Sequence, residues 1–445
     1  MRVARMMVAG GFALSAVAML LVLAQPAAAI PAWTRKYGMD CSSCHVAGFK
    51  LNRFGQDFLR SGHQMANWEE KQDLGSHLSV AQKSRYNWSQ TVVNGSVKPG
   101  SKVNSFEQHA LSLYMGGPLQ KEWSYFAELY WHENSGNTSG SSDLNDYGRS
   151  KLADAYLQYI HHEAEAKYTS VRFGQFSPFL LHLHGVGARL SQDRAYVVNS
   201  GTVGDNPYKP FMRQYGLEVS QYVQGFTATA AVMNGTGGKL FNRVDNDLKK
   251  DVYGTLDYSI DDFGSMLGVY GYVGHYPLPV DNKDLPTGVS GNPIPSSVHY
   301  TKYTTYDEFN QIGVLGNFTR KQGALVGAFF SGKNEFSNQR LNEKWYPVDS
   351  LTTAVESETK SVGYYAEVQI YALHPRVQPY LRWDFWDPNT DVDKNEVIGP
   401  MVGVSWRALD NGRLVAQYAA LKTRKGSSTL DETKQAITFE LNFMF

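Results

Sequence analysis

From about residue 77 to the C-terminus, apolar and polar side chains alternate with a period of two, in segments of roughly ten residues. Val252, Leu256, Tyr258 and Ile260 alternate with Tyr253, Thr255, Asp257 and Ser259. Val362, Tyr364, Ala366, Val368 and Ile370 alternate with Tyr365, Glu367 and Gln369. Tyr125, Ala127, Leu129 and Trp131 oppose Ser124, Glu128, Tyr130 and His132. The cleanest segment is the last, with Ile437, Phe439, Leu441, Phe443 and Phe445 on one face and Thr438, Glu440 and Asn442 on the other. Successive side chains of an extended strand point to opposite faces, so such segments must lie between an apolar and a polar environment. No helical stripe persists anywhere in this region.

The connections narrow the choice further. Short turns are expected at Gly117-Pro118, His162 to Lys167, Gln224-Gly225, Asp261 to Gly264, Arg320 to Gly323, His374 to Arg376 and Asp410 to Gly412. Long polar stretches separate them, at 94–102, 134–148, 177–210, 234–250, 277–305, 337–358, 388–395 and 424–434. A soluble β-sandwich also alternates, but it rarely alternates short and long connections so regularly. Regular exchange of short periplasmic turns and long outer loops marks an outer-membrane β-barrel. The fold class expected is therefore all-β, a transmembrane barrel of about sixteen antiparallel strands over residues 77–445. The inward-parity carboxylates Glu128, Glu218, Asp257, Glu367, Asp384 and Glu440 read first as solvated lumen residues, because barrel interiors are polar. A barrel of this size leaves room for a small plug.

The N-terminus is of a different kind. Residues 1–29 read as a secretory signal peptide: Arg2 and Arg5 are followed by an apolar run from Phe12 to Leu23 and by Ala27-Ala28-Ala29. The run is too short for a comfortable membrane helix. Residues 30–76 then carry Cys41-Ser42-Ser43-Cys44-His45, the attachment pattern of a c-type haem. In that chemistry the two thiols add to the haem vinyl groups and the imidazole becomes the proximal iron ligand. These are the only two cysteines of the 445 residues, and they follow an export signal. The competing readings are a structural disulfide or half of a zinc site, and the second would need further soft ligands. One covalently attached haem c is the cofactor expected, bound by Cys41, Cys44 and His45.

A helix near Leu51 to Arg60 is expected beside the motif, with Leu51, Phe54, Phe58 and Leu59 on one face and Gly62 as its stop. A segment this short cannot enclose a haem by itself, so cover must come from the barrel. Met65 and His63, just past the helix stop, are the two candidates for the sixth iron ligand, Met65 placed first. His77 reads as the opening of the first strand, and Met39 is too near the attachment site to reach the far face. A methionine ligand raises the reduction potential relative to a second histidine.

The block Pro31 to His45, then Leu51-Asn52-Arg53-Phe54-Gly55 and Phe58 to Gly62, resembles the fused outer-membrane cytochrome–porins of iron-oxidising bacteria. By motif the resemblance covers about thirty residues around the attachment site, and by architecture the whole chain. It implies a monohaem segment in or beneath a barrel, passing electrons from extracellular Fe(II) to a periplasmic cytochrome or other carrier. A weaker likeness, Arg172-Phe173-Gly174-Gln175-Phe176-Ser177-Pro178, is similar to a strand of anion-selective porins and implies a following loop folded into the lumen.

The function expected is thus an outer-membrane electron conduit with Fe(II) oxidase activity, its partners being an extracellular redox donor, a periplasmic carrier and outer-membrane lipid. Two alternatives stand beside it: the same architecture exporting electrons to extracellular acceptors, and a passive solute porin with a haem-bearing plug. Basic and acidic residues balance at 42 each, so there is no bulk attraction to nucleic acid. Two further groups were weighed as metal sites, the acidic loop Asp387, Asp391, Asp393 and Glu396 and the pair His182 and His184. The ordinary loop reading is preferred for both.

Overall fold

The computed structural model describes residues 31–47, 50–65, 76–133, 151–164, 166–187, 189–204, 206–235, 249–278, 305–335, 358–409, 411–425 and 430–445. The signal-peptide reading of residues 1–29 and much of the long connections at 134–148, 234–250, 277–305 and 337–358 lie outside these residues.

Sixteen long strands among the described residues close into one antiparallel barrel. They are β1 Leu78–Val93, β2 Val103–Gln120, β3 Trp123–Glu133, β4 Lys151–Ala164, β5 Lys167–Phe176, β6 Gln214–Val223, β7 Phe226–Met233 and β8 Asp251–Ser259. The ring continues with β9 Met266–Leu278, β10 Thr305–Arg320, β11 Gly323–Asn334, β12 Thr359–Ile370, β13 Val377–Asp387, β14 Val397–Leu409, β15 Gly412–Thr423 and β16 Glu432–Met444. Each strand pairs with its neighbour in sequence, and β16 closes on β1 in a register running from Glu432↔Val93 to Met444↔Ala81. A two-residue strand, Ser96–Val97, extends the first hairpin.

The alternation falls where expected. On β8 the side chains of Val252, Leu256 and Tyr258 are exposed while Tyr253, Thr255, Asp257 and Ser259 are buried. On β16 Phe439 and Leu441 point outward and Thr438, Glu440 and Asn442 inward. The exterior therefore carries a belt of exposed Leu, Val, Ile and Phe, which only an apolar solvent would favour. Seven short connections gather at one end. The Gln224-Gly225 turn has positive φ at both residues (48° and 96°), the conformation of a two-residue hairpin turn whose twist matches its strands. Gly117-Pro118, expected to be a turn, lies within β2. The chain reverses after Gln120 instead, because those residues still pair with Tyr125 and Ser124.

Two stretches enter the bore. The first is the connection between β5 and β6, which contains a short helical turn, Phe179–Leu181, running into a π-helical turn, His182–Val186, and a further turn, Tyr196–Asn199. Its Leu180, Leu181, Leu183, Val186, Leu190, Val197 and Val198 are fully buried against inward tyrosines and phenylalanines of the wall. The second stretch is residues 31–65, with helix α1 Pro31–Tyr37, a 3-10 turn at Cys41–Ser43, a small ribbon (His45–Ala47 with Lys50–Leu51) and helix α2 Arg53–Arg60. α2 begins two residues later than its apolar spacing suggests, because Leu51 is taken by the ribbon and Asn52 caps the helix through a hydrogen bond from the Gly55 N–H (2.8 Å). Phe58 is buried, but Phe54 stays 38% exposed, so the apolar face is narrower than its spacing implied.

Contacts of this second stretch place it at the short-turn end. The Ala32 N–H donates to Ser79 Oγ (3.0 Å), Trp33 Nε1 to the Gly116 carbonyl (3.0 Å) and Gln56 Nε2 to the Gly264 carbonyl (2.9 Å). Arg53 donates to the Ser259 carbonyl and to Tyr222 Oη. Gly62 has φ +66° and sits so close to Ser124 and Ile160 of the wall that any Cβ would collide with them.

Candidate cofactor site in the barrel bore

The Cys41–Ser43 turn is made by its neighbours. Asp40 caps it, accepting from the Ser42 N–H (2.7 Å), and Asn52 Nδ2 donates to the Ser43 carbonyl (2.9 Å). The Asn52 N–H in turn donates to the Cys44 carbonyl (2.9 Å), and Gly55 lets α2 press directly on that same carbonyl, where a Cβ would not fit. Asn52 and Gly55 thus have a local reason to stand where they do: they lock α2 to the motif. Cys41 and Cys44 are not joined in a disulfide, and both are partly exposed. Burial, with Cys41 and Asp40 nearby, pushes the Cys44 thiol up to about 11. Among the described residues no group of three or more His, Cys, Asp or Glu side chains converges as a metal site, the Asp387–Glu396 loop included.

Cys41, Cys44 and His45 line a cavity of ≈ 240 Å³ that they share with the barrel wall and the inward loop. Its two sides differ in chemistry. Trp33, Met39, Leu51, Phe58, Leu59 and Phe126 make an apolar side, mostly from residues 31–65. The cavity is also lined by six cations, Lys83, Arg85, Arg189, Arg194, Arg213 and Arg413, and four carboxylates, Asp40, Glu128, Asp154 and Glu440. Arg213 is paired with Glu128 (2.9 Å) and Asp154 (2.7 Å), and Arg85 with Glu440 (2.6 Å). The cavity is left with a surplus of two positive charges (six minus four). Arg189 is held by carbonyls of its own loop, Gln192 (2.7 Å) among them, and Arg194 lies over the Phe211 ring (4.5 Å). Mutual repulsion adds to burial at Arg189 and Arg194, and their guanidinium groups are pushed down to about 10 and about 9. An anion in the cavity relieves such a surplus. Two thiols and an imidazole thus share one cavity with apolar side chains and an excess of cations.

The cations were missed in the sequence. Their one available signal was Lys83 and Arg85 two residues apart on β1, an inward parity with positive charge.

The sixth-ligand candidates lie elsewhere. His63 is fully buried, with φ +64°, and its ring stacks on Trp33 (centroids 3.9 Å) while meeting Phe58 edge-on (5.5 Å). Neither His63 nitrogen has a hydrogen-bond partner, and burial lowers its pKa to about 3. Neither His63 nor Met65 lines the cavity, whereas Met39, set aside on proximity, does. His77 is buried ahead of β1, its ring stacked on Tyr125 (5.8 Å). His182 and His184 diverge rather than chelate. His184 is fixed by the Gly316 carbonyl (2.9 Å) and Tyr365 Oη (3.2 Å), while His182 lines the cavity.

The inward carboxylates correct their first reading. They are not solvated. Asp257 pairs with Arg60 of α2, both side chains under 5% exposed. Glu218 holds Arg172 (2.8 Å), and Asp384 and Glu367 hold Arg382 (2.8 and 3.6 Å). The reason is that residues 31–65 and the inward loop fill the bore, so lumen charges meet protein in place of water.

No protein-family profile matches the chain, and no curated protein is similar to it in sequence. Solved structures do match. The outer membrane channel DcaP of Acinetobacter baumannii superposes with a TM-score of 0.53 at 12% identity, over 83% of this chain and 96% of the channel. The anion-selective porin from Comamonas acidovorans also gives 0.53, at 11% identity, over 83% of this chain and 98% of the porin. At such identities the likeness shows the fold: this chain has the fold of an outer-membrane porin.

Proposed function

We propose that the chain is an outer-membrane electron conduit, with the stretch described from 31 to 65 a haem-bearing plug in the periplasmic mouth of the barrel. The observation that supports this is the shared cavity: Cys41, Cys44 and His45 line it inside a porin-fold barrel, together with an excess of cations. In barrels of this class the short turns face the periplasm and the long loops face outward, which sets residues 31–65 on the periplasmic side. When bound, a haem c supplies one-electron exchange. Cys41 and Cys44 would tether it and His45 would bind its iron, while Trp33, Phe58 and Phe126 would exclude water and the arginines would meet its carboxylates. Burial and hydrogen bonding by these groups set the potential. The exchange balances as one electron: extracellular ferrous iron is oxidised to ferric, and a periplasmic one-electron carrier is reduced. Opposite flow, toward extracellular acceptors, needs only partners of opposite potential.

The test uses purified, haem-loaded protein in detergent. Stopped-flow addition of ferrous iron to the oxidised form is expected to bring up the reduced c-type bands rapidly. A haem that is present but inert to ferrous iron overturns iron oxidation and leaves the outward conduit. The positive wall favours a second reading, a pore for anions. A conduit whose bore is filled by residues 31–65 and the inward loop resists solute flux in liposomes, and rapid anion leakage decides for the pore.

A further inference from the structure

If the barrel covers the haem face opposite His45, its own residues are the natural source of the second axial ligand. Among the described residues, two histidines line the cavity, His45 and His182. His182 opens the π-helical turn His182–Val186 of the inward loop, a wide turn of a kind that recurs at functional sites. The turn is shaped around this side chain. A Cβ at Gly187 would lie 2.6 Å from the His182 ring, so glycine there lets the imidazole rest on backbone. The next histidine, His184, is directed elsewhere, to Gly316 and Tyr365. Phe211 flanks the His182 ring on a near-parallel plane (6.0 Å, 27°). The charged groups that act on it from the surrounding elements are Asp154, Glu128, Arg194 and Arg213. His63, by contrast, would have to leave its stack on Trp33.

We propose that His182, carried by the inward loop of the barrel, is the second axial ligand of the iron held by His45. The N-terminal segment begins the coordination and the barrel completes it. This rests on the haem reading above, and the two can fail separately. A bis-imidazole iron has a lower potential than a histidine–methionine one, and Met39 and Met444, which also line the cavity, are the methionine competitors.

The experiment is electron paramagnetic resonance and far-red absorption of the ferric, full-length, haem-loaded protein, with haem counted independently as its pyridine complex. The wild type is expected to show a low-spin bis-imidazole signature and no far-red thioether band. His182→Ala is expected to retain haem and become largely high-spin, with low spin restored by added imidazole. His182→Met is expected to show the thioether band and a raised midpoint potential. A thioether band or a high-spin iron in the wild type overturns the assignment without need of any variant. So does a His182→Ala spectrum unchanged from wild type, above all if His63→Ala or Met65→Ala changes it. Where His182→Ala fails to form a heat-modifiable barrel, the wild-type spectrum decides. Absence of covalent haem overturns the conduit reading and this one with it; haem with another ligand overturns this one only.

Discussion

The inward loop at 177–213 and the N-terminal segment at 31–65 both occupy the bore, but they are held there by different forces. Among its described residues the loop buries nine aliphatic side chains, the sort of contact that hydrophobic transfer and close packing reward. It is also joined to adjacent strands at both ends, so closing it costs little extra entropy. The segment has a small aromatic stack (Trp33, Phe58 and His63, with Phe126 of the wall), touches the edge of that core through Val46, Ala47, Leu51 and Leu59, and is pinned by polar contacts with the wall, among them Arg60 on Asp257 and Lys50 on Gln369 (3.5 Å). The loop is part of the barrel's core, while the segment is a guest fastened at chosen points. A guest fastened this way can be positioned for a cofactor without the wall being rebuilt.

The sharpest break of that comparison is at the motif. Replacing Cys41 and Cys44 together by serine is expected to abolish covalent haem completely while the barrel still runs as a heat-modifiable band, read by haem staining of the same gel. Arg60→Ala comes next. Removing one partner of a buried ion pair leaves Asp257 uncompensated, at a cost of about 3–5 kcal/mol. The expected outcome is a segment cut by protease after Met65, with barrel melting little changed. Loss of the whole barrel instead would mean that the segment belongs to the core after all. Leu181→Ala probes the loop, where a fully buried leucine lost to a cavity costs about 2–5 kcal/mol. Here the barrel transition itself should fall, with the segment's protection following it.

Acid titration separates the two further. His63 is held neutral by burial with a pKa of about 3, below its ordinary 6.5. Between those values the unfolded segment binds a proton that the folded one does not, so stability falls with falling pH. The expected slope is about 1.4 kcal/mol per pH unit below pH ~6.5, levelling off near pH 3. His63→Gln should flatten this slope in the protease assay; an unchanged slope would assign it to another group. The smallest effect is expected at the rim. Lys98–Glu432 is a largely exposed pair (2.9 Å), and Lys98→Ala should change barrel melting by no more than about 1 kcal/mol.

Particular residues show how far the chain alone reaches. Alternation around Val252–Ile260 or Ile437–Phe445 is a local property of period two, so it can be read without knowing any partner, and it determined both the crossings and which side chains face inward. The spacing of Cys41, Cys44 and His45 is likewise local and points to its chemistry directly. Which inward groups meet is not local. Arg413 donates to the Arg189 carbonyl across 224 residues, and Arg60 meets Asp257 across 197. Such pairings follow from barrel closure, from strand register and from what fills the bore. The same is true of the histidines. On the chain, His63 stands nearest the motif and His182 far from it. Folding turns His63 into an aromatic stack and carries His182 to the cavity, because a neighbour along the chain is bound by its own helix end, whereas a distant loop is free to approach from the other side.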